Sequence, residues 1–313
     1  MEKKSKIYIA GHTGMAGSAI FRYLSNSGYD NLVVKTHSEM DLLDQKSVFD
    51  FFDSEKIEYV FLAAAKVGGI KKNINYPADM LLDNLKIQNN VIEAAYRFKA
   101  KKMLFLGSSC IYPRLSPQPM KEEFFLTGPF EPTNEGYAIA KVAGLRLCEY
   151  YNRQYNTNFI SLMPCNLYGI NDHYDENGHV LSSLILKFHN AKVNGYKEVE
   201  VWGSGNQRRE FLFSDDLADA SVYFMNNYNG SDFINIGSVI DYSIKELANI
   251  ISKLVGYNGN IVFNTNMPDG MPRKLLDTSK AEKLGWKFKT KLEEGLRITY
   301  DDFLLNNTKM EKR

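Results

Sequence analysis

The stretch Lys6-Ile7-Tyr8-Ile9-Ala10-Gly11-His12-Thr13-Gly14-Met15-Ala16-Gly17-Ser18-Ala19-Ile20 decides the fold. Lys6–Ala10 reads as a short apolar strand, and Met15–Ser27 reads as a helix with Ile20, Tyr23 and Leu24 on one side. Between them lies a turn with glycine at positions 11, 14 and 17. Small residues let the backbone bend tightly and come close to a pyrophosphate, and a helix N-terminus offers free N–H groups and partial positive charge. A glycine triplet in isolation says little, but one set between a first strand and a first helix points to a dinucleotide site.

Outward from this turn the first half keeps alternating. Leu32–Lys35, Tyr59–Ala65, Met103–Leu106 and Phe159–Met163 read as strands, and Ser47–Phe52 and Ala78–Phe98 as helices. Near-continuous apolar strands alternating with helices indicate a parallel sheet covered on both faces. From Asn166 onward the loops lengthen and turn rich in Gly, Asn and Asp, around short strands (Glu198–Trp202, Phe233–Ile236, Asn260–Phe263) and helices (Ser243–Val255, Thr278–Leu284). The expected class is α/β, a Rossmann-type doubly wound parallel sheet with a smaller C-terminal α/β substrate lobe. Residues 1–168 are expected to form the cofactor domain, with 211–239 returning to it, and 169–210 and 240–313 the lobe.

The bulk properties exclude several classes. A chain of 313 residues with net charge +1 has no bulk attraction for nucleic acid or anionic membrane. No run approaches the roughly 18 apolar residues of a membrane span. The N-terminus lacks the pattern of a secretory signal. Cys110, Cys148 and Cys165 make neither a disulfide framework nor a CxxC pair, and no metal is expected. A reducing cytoplasm is the expected compartment.

Past the second strand, NAD sites usually carry an acid about 20 residues beyond the glycines, to hold the ribose hydroxyls. Here the chain reads Val34-Lys35-Thr36-His37-Ser38, with Glu39 just beyond. Lys35 and His37 would attract a 2′-phosphate, so NADP(H) is the expected cofactor. Asp41-Leu42 is expected nearer the adenine.

Tyr137 and Lys141 stand four apart and so share a helix face. An ammonium near a phenol favours the phenolate and is expected to ease proton transfer near neutral pH. Ser108 or Ser109, at the C-terminal end of the strand Met103–Leu106, could join Tyr137 in hydrogen-bonding a carbonyl oxygen that gains negative charge.

Gly11–Gly17, Ser108/Ser109, Tyr137 and Lys141 resemble the extended short-chain dehydrogenase/reductase superfamily. Longer stretches narrow it: LAAAKVGGI at 62–70, FLGSSCIYP at 105–113, EPTNEGYAIAK at 131–141, VWGSGNQRREF at 201–211 and PDGMPRKLLD at 268–277. Together with AGHTGMAGSAI at 10–20 they are similar, over nearly the whole chain, to the GDP-L-fucose synthase family of 3,5-epimerase-4-reductases. The resemblance implies a homodimer, NADPH as hydride donor and a GDP-linked 4-keto sugar in the C-terminal lobe.

Epimerisation beside a carbonyl needs a base and an acid on opposite faces of the ring. The resemblance assigns proton transfer at C3 and C5 to Cys110 and His179. Cysteine and histidine, titrating near ~8.5 and ~6.5 when unperturbed, both exchange protons at cellular pH. The resemblance also places Lys187 and Arg209 on the diphosphate or sugar, Trp202 beside the nucleotide, and Asp269 on it. Ser109 joins them as a candidate substrate contact. The candidate cofactor contacts are Gly11, His12, Thr13, Gly14, Met15, Ala16, Gly17, Lys35, His37, Asp41, Leu42, Leu106, Gly107, Ser108, Lys141, Pro164, Asn166, Leu167 and His179. Cys148 and Cys165 read as packing.

Thr13 stands where the family often has arginine, Gly136 replaces a usual proline, and the loop Gly169–His179 is shortened. The alternatives are therefore a reductase or epimerase-reductase of another GDP-4-keto sugar such as a heptose, a nucleotide-sugar 4-epimerase or 4,6-dehydratase, and a non-catalytic NADP-binding regulator.

Overall fold

A computed structural model describes residues 1–175, 178–267 and 269–310. The chain runs β1 (Ile7–Ala10), α1 (Met15–Asn26), β2 (Leu32–Val33), α2 (Gln45–Glu55), β3 (Tyr59–Leu62), α3 (Ile70–Asn75), α4 (Pro77–Arg97), β4 (Lys102–Leu106), α5 (Glu135–Tyr155) and β5 (Phe159–Pro164). It continues through β6 (Asn166–Tyr168), α6 (Val180–Asn194), β7 (Glu198–Trp202), β8 (Arg208–Phe213), α7 (Ser214–Asn227), β9 (Ile234–Ile236), β10 (Asp241–Ser243), α8 (Ile244–Val255), β11 (Asn260–Asn264), β12 (Arg273–Lys274), α9 (Ser279–Lys283) and α10 (Leu292–Met310).

The main sheet has six parallel strands in the order β2-β1-β3-β4-β5-β9. Strands β1, β4 and β5 are buried along their whole length, because helices cover both faces. The chain leaves β1 for β2 on one side and later takes up β3 on the other. That reversal opens a crevice at the strands' C-terminal ends. The register brings those ends level: Ala10 pairs with Leu62, Leu62 with Phe105, Leu106 with Leu162, and Pro164 with Ile236. The segments that start at Gly11, Ala63, Gly107 and Cys165 therefore leave the sheet at one edge. This is the doubly wound α/β arrangement expected from the sequence.

A second group of strands surrounds β8. It pairs antiparallel with β10 and parallel with β12 and β6, while β7 and β11 form a separate parallel pair. Alternation along β8 sends Leu212 into the core around the main sheet, and Phe211 and Phe213 into a second core with α6, α8 and α10. Helix α8 shows how sequence makes such a core. Ser243 and Glu246 form a capping box, Gly256 ends the helix at φ +75°, and Ile244, Leu247, Ala248, Ile251 and Val255 line its buried face.

Buried charge ties the layers. Lys102 is buried, and its ammonium donates to the carbonyl oxygens of Phe224 (3.3 Å), Met225 (2.8 Å) and Tyr228, closing the C-terminal end of α7. Glu210, wholly buried in β8, accepts from the N–H groups of Val239 (2.8 Å) and Leu276 (2.9 Å).

Several readings of the sequence change. The strand read as Tyr59–Ala65 ends at Leu62, and the one read as Leu32–Lys35 ends at Val33. In both, the excess residues run on past the edge into the crevice. Helices α3 and α10 and strands β6, β8, β10 and β12 are additions. The four strands are two to six residues long, too short for a periodic signal. No helix among the described residues is long and apolar enough to cross a membrane.

Candidate functional site

The glycine turn is shaped by close backbone approach. Gly11 sits at φ +86°, and a Cβ there would lie 2.7 Å from Ala64 Cα; one on Gly17 would lie 2.1 Å from the Gly11 carbonyl oxygen. The turn therefore packs against the segment after β3 and against the first turn of α1. No acidic residue occupies that first turn, so the free N–H groups at Met15, Ala16 and Gly17 face an anion-ready space. His12 Nδ1 is buried within this turn without a hydrogen-bond partner. The Thr13 carbonyl accepts from Asn171 Nδ2 at 3.4 Å, which joins the turn to the loop after β6.

Beyond β2 the charges are arranged for an anion. Lys35 is half-exposed and His37 exposed. Glu39 turns back: its carboxylate accepts from the Thr36 N–H and hydroxyl, both at 2.7 Å, and these bonds hold it below the usual carboxylate range. It is committed to the turn rather than to a ribose. His37 Nδ1 lies 3.6 Å from Asp41, and the Leu42 carbonyl accepts from Asn90 of α4. The bare helix N-terminus, the orphaned His12 nitrogen and the absence of a free acid after β2 together fit a dinucleotide carrying a 2′-phosphate.

Beside this cradle stands the reacting end. Gly107 and Ser108 follow β4; the Gly107 N–H donates to Leu162 O at 2.9 Å, and a Cβ there would strike Met163. The Ser108 hydroxyl accepts from the Cys110 N–H at 3.2 Å and hydrogen-bonds the phenol of Tyr137. Ser109 is buried in the short 3-10 turn that follows. On α5, Lys141 is buried and donates to the Leu106 carbonyl at 2.8 Å. Pro164 at the end of β5 and Asn166 and Leu167 in β6 continue the same edge, Asn166 Nδ2 donating to Glu210 O at 2.9 Å.

The phenol differs from expectation. Burial pushes Tyr137 well above the usual tyrosine range and Cys110 adds to this, while the Ser108 hydrogen bond pulls the other way. Lys141 is aimed at Leu106, with its nitrogen 5.7 Å from the centre of the Tyr137 ring, and burial lowers it to about 8. Tyr137 is thus held as a protonated donor and not as a phenolate. The spacing was read correctly as a shared face, but it carries no information on where the ammonium points.

Cys110 is partly exposed at this centre. Its sulfur accepts from Asn134 Nδ2 at 3.2 Å and from Lys274 Nζ at 3.4 Å. It also interacts electrostatically with both Tyr137 and Lys141. Cys148 and Cys165 are buried, and burial raises both thiols. His179 caps the N-terminus of α6, with Nδ1 3.8 Å from Asp172, which raises it above the ordinary histidine value against the opposing effect of burial. Among the described residues no hydrogen bond joins His179 to Cys110, Tyr137 or Lys141, so the structure leaves it apart from the group it brings together.

The candidate substrate residues lie along the edge of β7 and β8. Lys187 Nζ sits 5.6 Å from the centre of the half-exposed Trp202 ring. The Asp269 carboxylate accepts from the Ser204 N–H (2.6 Å) and hydroxyl (2.8 Å), fixing the turn after Trp202. Arg209 donates to Arg208 O; burial lowers it, and Glu131 and Asp269 oppose that shift. Arg209 is paired in register with Lys274, which reaches Cys110. A continuous line of groups thus runs from Trp202 to Tyr137. Pro268, quoted in the motif with Asp269, and residues 176–177 in the loop before His179 lie outside the described residues.

Three residues at this site carry no sequence signal of their own. Asn134 could have been noticed three positions before Tyr137. Lys274 and Asp172 take their meaning only from partners that folding supplies.

Residues 7–237 match the NAD dependent epimerase/dehydratase family. The putative GDP-L-fucose synthase 2 of Arabidopsis thaliana is 54% identical over 98% of this chain and 94% of its own. The GDP-L-fucose synthase of Escherichia coli K12 is 50% identical over 97% of this chain and 98% of its own. Among solved structures, the GDP-mannoheptose C4 reductase MlghC of Campylobacter jejuni, with NADP bound, superposes with a TM-score of 0.91 at 43% identity, covering 97% of this chain and 99% of that one. The chain belongs to the NAD dependent epimerase/dehydratase family, within the branch that contains the GDP-L-fucose synthases.

Proposed function

We propose that this enzyme uses NADPH to convert GDP-4-keto-6-deoxy-mannose to GDP-L-fucose, by epimerisation at C3 and C5 and reduction at C4. The observation that carries the reading is the meeting of Ser108, Tyr137 and Lys141 with Cys110 at one sheet edge, beside the glycine turn. A C4 reductase needs only the first three. A titratable sulfur against them is what an epimerase adds.

NADP(H) would be held by Gly11–Gly17, Lys35 and His37, with Lys141 and the ends of β4 and β5 nearby, and it supplies the hydride when bound. The chain's own residues do the rest. Ser108 and Tyr137 hold the C4 oxygen and stabilise the charge that gathers there. Tyr137 keeps its proton and delivers it to that oxygen. Lys141, anchored on Leu106 O, fixes the distance between α5 and β4. Cys110 takes a proton from the carbon beside the carbonyl, and His179 serves the opposite face. Lys187 and Arg209 neutralise the diphosphate, Trp202 borders the guanine, and Ser109 and Asp269 shape the pocket.

In domain terms we assign residues 1–168 with 211–239 to the cofactor and the remainder to the sugar nucleotide. We also infer a cytoplasmic homodimer. Exposed Leu82 on α4 and Tyr150 and Tyr155 on α5 are apolar surface that a second copy would cover.

The second reading is a GDP-heptose reductase, favoured by the full-length likeness to MlghC. Offering GDP-4-keto-6-deoxy-mannose and a GDP-4-keto-heptose in parallel, each with NADPH or NADH, separates the two. Rapid NADPH oxidation with the deoxyhexose supports the proposal. Turnover of the heptose alone overturns it.

A further inference from the structure

We propose that Lys274 is a positioning residue for the proton chemistry at Cys110, balancing the charge that forms on its sulfur. This rests on the role given above to Cys110. The two residues are 164 positions apart, yet Lys274 Nζ lies 3.4 Å from Cys110 Sγ. The ammonium is not on a loose tether. Lys274 ends β12, which pairs with β8 at Arg208 and Arg209. The next N–H, that of Leu275, donates to Gln118 Oε1 at 2.9 Å, and that of Leu276 donates to the buried Glu210 carboxylate at 2.9 Å. The Leu275 and Asp277 backbones pair with Met120 on the other side. The segment is therefore clamped from two directions just where it presents its lysine.

The chemistry requires such a partner. When the proton leaves carbon for Cys110, the sulfur gives up a negative charge and the charge moves to the enolate oxygen. When the proton returns, the negative charge is restored to sulfur. A fixed cation lowers the energy of the charged sulfur state, and Asn134 Nδ2 adds a hydrogen bond to it at 3.2 Å. The other titratable groups facing the sulfur are Tyr137 and Lys141, both from α5. Lys274 is the cation that comes from the opposite wall.

The test uses the whole enzyme as Lys274→Met, Lys274→Arg and Cys110→Ser variants. One readout is alkylation of Cys110 by iodoacetamide across pH, with buried Cys148 and Cys165 as unreactive internal references. The other is deuterium entry at C3 and C5 of GDP-4-keto-6-deoxy-mannose in heavy water with NADP+ and no hydride donor. Lys274→Met is expected to slow alkylation at neutral pH by roughly tenfold and to move its pH profile upward, with a parallel loss of exchange. Lys274→Arg is expected to restore most of both. Alkylation in Lys274→Met within twofold of the parent, over the whole pH range, overturns the proposal. So does a rise in KM for the sugar nucleotide with exchange at saturation unchanged, which makes Lys274 a phosphate ligand. If Cys110→Ser itself keeps full exchange, the fault lies in the role given to Cys110, whatever Lys274→Met does to alkylation.

Discussion

Replacing Gly17 by alanine tests the cofactor cradle most sharply. The new Cβ would stand 2.1 Å from the Gly11 carbonyl oxygen and 2.6 Å from its carbonyl carbon. Neither is the end of a flexible side chain, so the backbone of the turn must open by about 1 Å. Overpacking of this kind sits at the upper end of its usual range, ~3 kcal/mol, and the helix preference of alanine over glycine returns ~1 kcal/mol. A net ~2 kcal/mol follows. With an unfolding entropy of about 2.1 cal/mol/K per residue, each kcal/mol moves the Tm of a 313-residue chain by about 1.5 °C, so a fall of ~3 °C is expected. NADPH suffers more. One charge-assisted hydrogen bond to a pyrophosphate oxygen is worth ~1.5–3 kcal/mol, and a turn displaced by about 1 Å forfeits at least one, raising Kd by ~10- to 150-fold. The assay is fluorescence titration of NADPH beside a thermal melt. Gly14→Ala is the control for stability, since its Cβ would lie 3.6 Å from Gly11 O, an ordinary contact, and should move Tm by less than ~1 °C. NADPH binding within twofold of the parent in Gly17→Ala would refute the reasoning.

Three further outcomes follow from the geometry. Tyr137→Phe should lower kcat by ~10²–10⁴ while leaving NADPH affinity unchanged in a binding titration, because it removes the proton donor and not a cofactor contact. Asp172 raises His179, so the imidazolium persists to higher pH, and any stability it lends is full below the ordinary histidine value and lost as pH rises through the raised one. Asp172→Asn should move the His179 titration, followed by its ring proton resonances, to lower pH. Phe303, buried on α10 against Tyr174, His189 and Tyr300, should cost ~3–5 kcal/mol as Phe303→Ala, seen as a Tm lower by ~5–8 °C.

What could be read from the sequence was local. Gly11, Gly14 and Gly17 sit within one turn, and the strand and helix on either side carry their own periodicity. Tyr137 and Lys141 share a helix face by spacing alone. What could not be read depends on contacts between distant segments. Cys110 meets Lys274 only because β12 lies along β8, and Glu210 is buried only because two loops bring their N–H groups to it. The pull of the Lys141 ammonium toward Leu106, which leaves the Tyr137 phenol protonated, is likewise a fact of packing between α5 and β4. Glu39 looked free to hold a ribose until the fold turned it back onto Thr36.

The measurement closest to the central claim is the position of deuterium in the product. The enzyme is incubated with GDP-4-keto-6-deoxy-mannose and NADPH in heavy water, and the sugar is resolved by proton NMR. The account predicts GDP-L-fucose carrying deuterium at C3 and C5, with hydrogen from NADPH at C4. A reduced sugar of unchanged C3 and C5 configuration, with no deuterium at either carbon, contradicts it.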